Sequence, residues 1–136
     1  MRWAFWLCAA GAIGAPGATV GALPACAQAD LEAAKKQYNG ACAVCHASES
    51  GGPPRQGPHL AGVIGRTAGT LPAYKFSPAL TGAGFVWTDE TLDAWLADAQ
   101  AFRPGTTMLY RQANQERRRL VIEYLKSLNA RPEARN

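Results

Sequence analysis

The sequence predicts an all-α domain of three main helices with short helices and long loops. Three observations predict it. Apolar residues recur at intervals of three and four in three separate stretches, each opened by a residue suited to cap a helix. No stretch alternates apolar and polar residues as a half-buried strand does. Glycine and proline, 14 and 9 in 136 residues, crowd the segments between these stretches, which therefore read as loop.

The first 29 residues stand apart. Arg2 is the only charge before Asp30, an apolar run from Trp3 to Ala15 follows it, and the stretch closes on Ala27-Gln28-Ala29. A basic start, a short apolar core and an A-x-A close describe a secretory signal peptide over residues 1–29, cleaved after Ala29. The run is shorter than the roughly 20 residues of a spanning helix, and Pro16 and Gly17 interrupt it. Two rivals stay open: a retained anchor, and lipidation of Cys26, because Leu23-Pro24-Ala25-Cys26 resembles a lipoprotein signal. Cleavage leaves residues 30–136 as one exported, periplasmic domain with its core over 31–128. No disulfide is expected there despite the oxidising compartment, since Cys42 and Cys45 are its only cysteines and share one short motif. The whole chain carries a formal +4, and the domain +3 once Arg2 is gone. Charge this weak and dispersed argues against nucleic acid and permits acidic protein partners.

In chain order, Asp30 can cap a first helix with Leu31, Ala34, Tyr38, Ala41, Cys42 and Cys45 on one face, ending soon after His46. From Ala47 to Ala73 the chain reads as a long loop, a feature that is uncommon and usually functional. Ser77-Pro78 opens a short helix to about Thr81. Thr88, followed by Asp89 and Glu90, starts a second main helix to about Asp98, with Leu92, Trp95 and Leu96 inward. A Pro104-Gly105 loop leads to Met108. Asn114 caps the last helix, whose stripe is Leu120, Val121, Tyr124, Leu125 and Leu128, with Arg117, Arg118 and Glu123 outside. Asn129 and Pro132 stop it.

Chemistry concentrates at Cys42-Ala43-Val44-Cys45-His46. Cys-x-x-Cys-His is the attachment signature of a c-type haem: two thiols become thioethers and the imidazole supplies an axial nitrogen to iron. At i, i+3 and i+4 all three groups share one helical face and can meet one flat ring. Zinc needs four ligands, and His59, the remaining histidine, has no partner nearby. A thioredoxin-like pair wants alternating strands and helices, which are missing. Met108, the sole methionine after the leader, lies in a loop and not on a helical stripe, which makes it the candidate sixth ligand. His59 and an open site are its competitors. Pro58 offers a carbonyl to His46 Nδ1–H, which would fix tautomer and basicity. Arg66, Trp87 and Ser77 are candidate donors to buried haem propionates.

These stretches together resemble a class I cytochrome c, of the type shared by mitochondria and many bacteria. The resemblance covers Leu31 to Leu128 and rests on Cys42-x-x-Cys-His46, Gly57-Pro58-x-Leu60-x-Gly62-x-x-Gly65-Arg66-x-x-Gly69, Trp87-x-x-Glu90-Thr91-Leu92, Pro104-Gly105-Thr106-x-Met108 and Tyr124-Leu125-Lys126. It implies the cytochrome c fold wrapped around one covalent haem c, with first and last helices crossing at Tyr38 and Tyr124. It also implies His46/Met108 ligation, a Pro58 carbonyl on His46, and Arg66 and Trp87 near a propionate. The chain departs from the family pattern at several positions. His59 stands for an asparagine, Phe76 and Trp95 for tyrosines, and Ala34 for a helix-crossing glycine. Ala41, Gln100 and Thr107 take places where mitochondrial members carry lysines around the haem edge.

The function expected is a soluble, non-enzymatic periplasmic electron carrier. It is expected to be monomeric, to have no stable membrane insertion unless Cys26 is lipidated, and to work with unnamed redox partner proteins. The alternatives are a haem-bearing subunit of a periplasmic oxidoreductase and a haem-based small-ligand sensor.

Overall fold

The computed structural model describes residues 25–53 and 55–130. Most of the expected signal peptide, the side chain of Cys26 and Pro132 lie outside the described residues. The elements are α1 (Ala25–Ala41), α2 (Asp89–Ala97), α3 (Ala99–Phe102) and α4 (Gln115–Asn129). One isolated antiparallel bridge, Thr67 to Val86, is the only β feature among the described residues.

The first helix differs from expectation at both ends. It begins upstream of Asp30, because Ala25, Ala27 and Ala29 are strong helix formers and nothing before Asp30 interrupts them. It ends at Ala41, so the Cys-x-x-Cys-His motif forms a turn that follows the helix. Tyr38 O takes both Cys42 N (2.7 Å) and Ala43 N (3.2 Å), the shared acceptance common at helix ends. His46 N still bonds Cys42 O at 2.9 Å, so the motif retains a single helical turn.

The second helix is capped as read. Thr88 accepts from Thr91 N while the Thr91 side chain accepts from Thr88 N, a reciprocal box. Leu92, Trp95 and Leu96 are buried. Asp98 then caps the four-residue α3 by accepting from Ala101 N. The segment Ser77–Thr81 is a turn and not a helix. Leu80 N and Thr81 N both bond Ser77 O at 3.0 Å, and Gly82 at φ 69° ends it before a second turn forms.

α4 starts at the expected cap, with Asn114 accepting from Arg117 N. Its buried face includes Ile122 besides Val121, Tyr124, Leu125 and Leu128, while Leu120 is half-buried. Arg118 is not a solvated surface charge. Its side chain is 11% exposed and makes a bidentate pair with Asp93 of α2 at 2.7 and 3.1 Å. α1 packs on α4, Ala34 is fully buried, and the Tyr38 and Tyr124 rings meet with centroids 4.6 Å apart. These helices, α2 and the long loop share one apolar core.

Candidate functional site

The long loop turns back under the motif and seats His46. Gly57 N bonds Cys45 O (2.7 Å) and Leu60 N bonds Ala47 O (2.9 Å), while Arg55 Nη1 donates to Ala43 O. These bonds bring Pro58 O to 2.8 Å from His46 Nδ1, so Nδ1 carries the proton and Nε2 is left as the free donor atom. The imidazole lies directly over the backbone of Gly57, where any Cβ would collide with the ring. Burial pushes the His46 imidazole below its ordinary value, opposed by the Pro58 carbonyl. It is therefore neutral at pH 7 and able to bind a metal.

The two thiols are free, Cys42 buried and Cys45 partly so. Burial, with Cys45 as neighbour, pushes the Cys42 thiol up to about 11. No group of three or more His, Cys, Asp and Glu side chains able to hold a metal ion occurs among the described residues.

Met108 is held from α2 and α3. Trp95 Nε1–H donates to Met108 Sδ at 3.2 Å. A thioether sulfur has two lone pairs, so one remains for a metal. Gln100 Nε2 donates to the carbonyls of Thr106 (2.7 Å) and Met108 (3.1 Å), fixing the loop on both sides of Thr107, and Thr106 is itself buried. Arg103 Nε ties the same loop to Ala79 O at 2.7 Å. Sequence reasoning missed Gln100 and Arg103 as anchors, since an isolated glutamine or arginine carries no spacing signal.

Arg66 and Trp87 come together through backbone. Trp87 N bonds Arg66 O (3.0 Å) and Gly65 N bonds Trp87 O (2.8 Å) beside the Thr67–Val86 bridge. The half-buried Arg66 guanidinium donates to Ala61 O (3.1 Å) and His59 O (3.4 Å). Edge-to-face contacts link Phe85, Trp87, Trp95 and Phe102 into one aromatic wall. Among the described residues, the buried side-chain polar atoms Ser77 Oγ and His59 Nδ1 have no protein partner. An orphaned buried donor is costly, and a carboxylated prosthetic group would satisfy Ser77. Free paired thiols, an aimed imidazole, a held thioether, an aromatic wall and this orphaned hydroxyl fit a haem.

A cytochrome c family model matches residues 31–129. The chain belongs to the cytochrome c family. Among relatives, it is 39% identical over 100 residues to a cytochrome c of Euglena viridis, covering 73% of this chain and 97% of that protein. It is 35% identical over 102 residues to a cytochrome c of Chlamydomonas reinhardtii, covering 74% and 91%. A cytochrome c homolog of Bradyrhizobium diazoefficiens is 40% identical over 93 residues, covering 67% of this chain and 50% of its own. Cytochrome c proteins are haem electron carriers that work with redox partners, and this chain's cofactor is accordingly covalently bound haem c.

Proposed function

We propose that this chain is an exported, periplasmic electron carrier. On this reading residues 1–29 are a leader and 30–136 the working domain, monomeric and without enzymatic turnover. Haem c is joined through Cys42 and Cys45 and ligated by His46 and Met108. The group supplies a one-electron Fe(III)/Fe(II) couple when bound.

The observation that carries the reading is the pair of anchored ligands. The Pro58 carbonyl holds the His46 tautomer, and the Trp95 indole holds the Met108 sulfur. Groups fixed in this way need not move when charge changes, so little reorganisation accompanies transfer. Sulfur ligation raises the potential relative to two imidazoles. The Trp95 N–H bond draws electron density from the same sulfur and acts in the same direction. Arg66, Trp87 and Ser77 serve the propionate side. His59 is disfavoured as sixth ligand, because its loop is bonded to the His46 side through Leu60 N and Ala47 O.

The test is the absorption spectrum of oxidised and reduced holoprotein. A low-spin spectrum with a weak near-infrared sulfur-to-iron band is expected, and the band should vanish in Met108→Ala. A low-spin wild type that lacks the band would reject Met108 as ligand.

A further inference from the structure

Residues 106–112 form a strap, neither helix nor strand, that carries Met108. Inward and outward positions alternate along it. Thr106 is buried and Met108, Tyr110 and Gln112 are half-buried, while Thr107, Leu109 and Arg111 are exposed. The inward residues are also the bonded ones. Ala99 N donates to Tyr110 O at 3.4 Å and Gln112 N to Leu96 O at 2.9 Å. Thr106 O and Met108 O both accept from Gln100 Nε2.

These bonds differ in consequence. Those of Tyr110 and Gln112 hold the far end of the strap. Met108 N has a long contact within the strap itself, to Thr106 Oγ1 at 3.5 Å. Among the described residues, Gln100 alone therefore bonds the Met108 backbone to another element. Its Nε2 carries two hydrogens, and both are used. A reversed amide would set Oε1 against two carbonyl oxygens, so the donor assignment follows from the chemistry. Gln100 belongs to α3, and Asp98 fixes that short helix to the strap. One Asp98 oxygen caps Ala101 N and the other pairs with Arg111 Nε at 3.3 Å. Trp95 holds only the sulfur. A methionine side chain turns easily about three bonds. Met108 packs partly buried against the core, however, so withdrawing its sulfur also requires the strap to lift.

We infer that Gln100 is the latch on the sixth coordination position. By tying Thr106 O and Met108 O to α3, it sets how fast Met108 withdraws and so keeps outside ligands from the iron. The inference rests on the Met108 ligation proposed above. Withdrawal breaks the sulfur–iron bond, and both Gln100 bonds break as the strap lifts. An incoming nitrogen ligand then fills the position with no change in iron oxidation state. Trp95 acts on the donor strength of the sulfur. Gln100 touches neither sulfur nor iron and acts on the place of the strap, as a positioning residue.

Stopped-flow mixing of ferric holoprotein with imidazole at pH 7 tests this. Imidazole enters only after Met108 leaves, so the observed rate should level off at high imidazole, at the rate of Met108 withdrawal. Gln100→Glu keeps the shape of the side chain but puts an acceptor oxygen where the two hydrogens were. Its plateau rate should rise about tenfold to a hundredfold, the scale of two neutral hydrogen bonds, with the near-infrared sulfur-to-iron band still present at rest. Gln100→Lys restores the donors, because the amine is protonated at this pH, and its plateau should lie within about threefold of wild type. Ala34→Leu, which overpacks the α1–α4 crossing, should leave the plateau unchanged and so separates a local latch from general loss of stability. A wild-type plateau in Gln100→Glu would overturn the inference. So would equal acceleration in Ala34→Leu, or a lysine variant as fast as the glutamate one. A wild type that is high-spin, or low-spin without the near-infrared band, would instead overturn the Met108 ligation on which the inference rests.

Discussion

His46 and His59 share one loop system and have opposite circumstances. His46 Nδ1 has a carbonyl at 2.8 Å, whereas His59 Nδ1 is buried without a partner. Burial, with Arg66 adding to it, holds the His59 imidazole below its ordinary value. The fold therefore favours neutral His59, and the unfolded chain binds the extra proton near pH 6.5. Its contribution to stability is complete above that pH and is lost as pH falls below it. Thermal melting of the holoprotein at pH 7.5 and 5.5 should show a smaller acid loss in His59→Asn than in wild type. A larger loss in the variant would mean that the fold favours the imidazolium, as a propionate within reach of Nδ1 would make it.

At the scale of elements, the α1–α4 crossing positions everything else. Tyr38 belongs to it twice. Its ring packs on Tyr124, and its hydroxyl donates to His46 O at 3.3 Å, so the helix contact also steadies the haem turn. Asn129, expected only to stop α4, also clamps the long loop: its side chain donates to Ile64 O (2.7 Å) and accepts from Ile64 N (3.3 Å). Small Ala34 is fully buried in the core that α1 and α4 share, and interaxial distance depends on side-chain size there. Ala34→Leu should cost about 1–3 kcal/mol by overpacking, while Arg117→Gln on the exposed face should stay within about 0.5 kcal/mol. Guanidinium unfolding of the holoprotein reads both as midpoint changes at constant slope. Equal effects would deny the crossing its special role.

The whole molecule has few helices and much loop, and a chain this small buries limited apolar surface by itself. Haem supplies the missing core, as the aromatic wall and the orphaned Ser77 hydroxyl indicate. Cys42→Ser with Cys45→Ser, which blocks covalent attachment, should yield a chain that has lost most far-UV helical signal at 25 °C. Cooperative thermal unfolding by that variant would show that the polypeptide folds without its cofactor.

The sequence by itself determined the haem motif, the candidate axial ligand, two helix starts at Thr88 and Asn114, and the family. Each is written in local chemistry, as a fixed spacing, a capping side chain or a lone methionine. Pro58 was legible as a carbonyl acceptor because proline has no amide hydrogen to compete. The first helix was misread at both ends: alanines extend it upstream, and shared acceptance by Tyr38 O closes it before the cysteines. Only tertiary structure decided the roles of Gln100, Arg103, Asn129 and Arg118, whose side-chain partners lie at sequence separations of 5 to 65. Directed polar bonds between distant segments leave no periodic trace in a sequence, whereas burial of a helix face and attachment to a flat ring do.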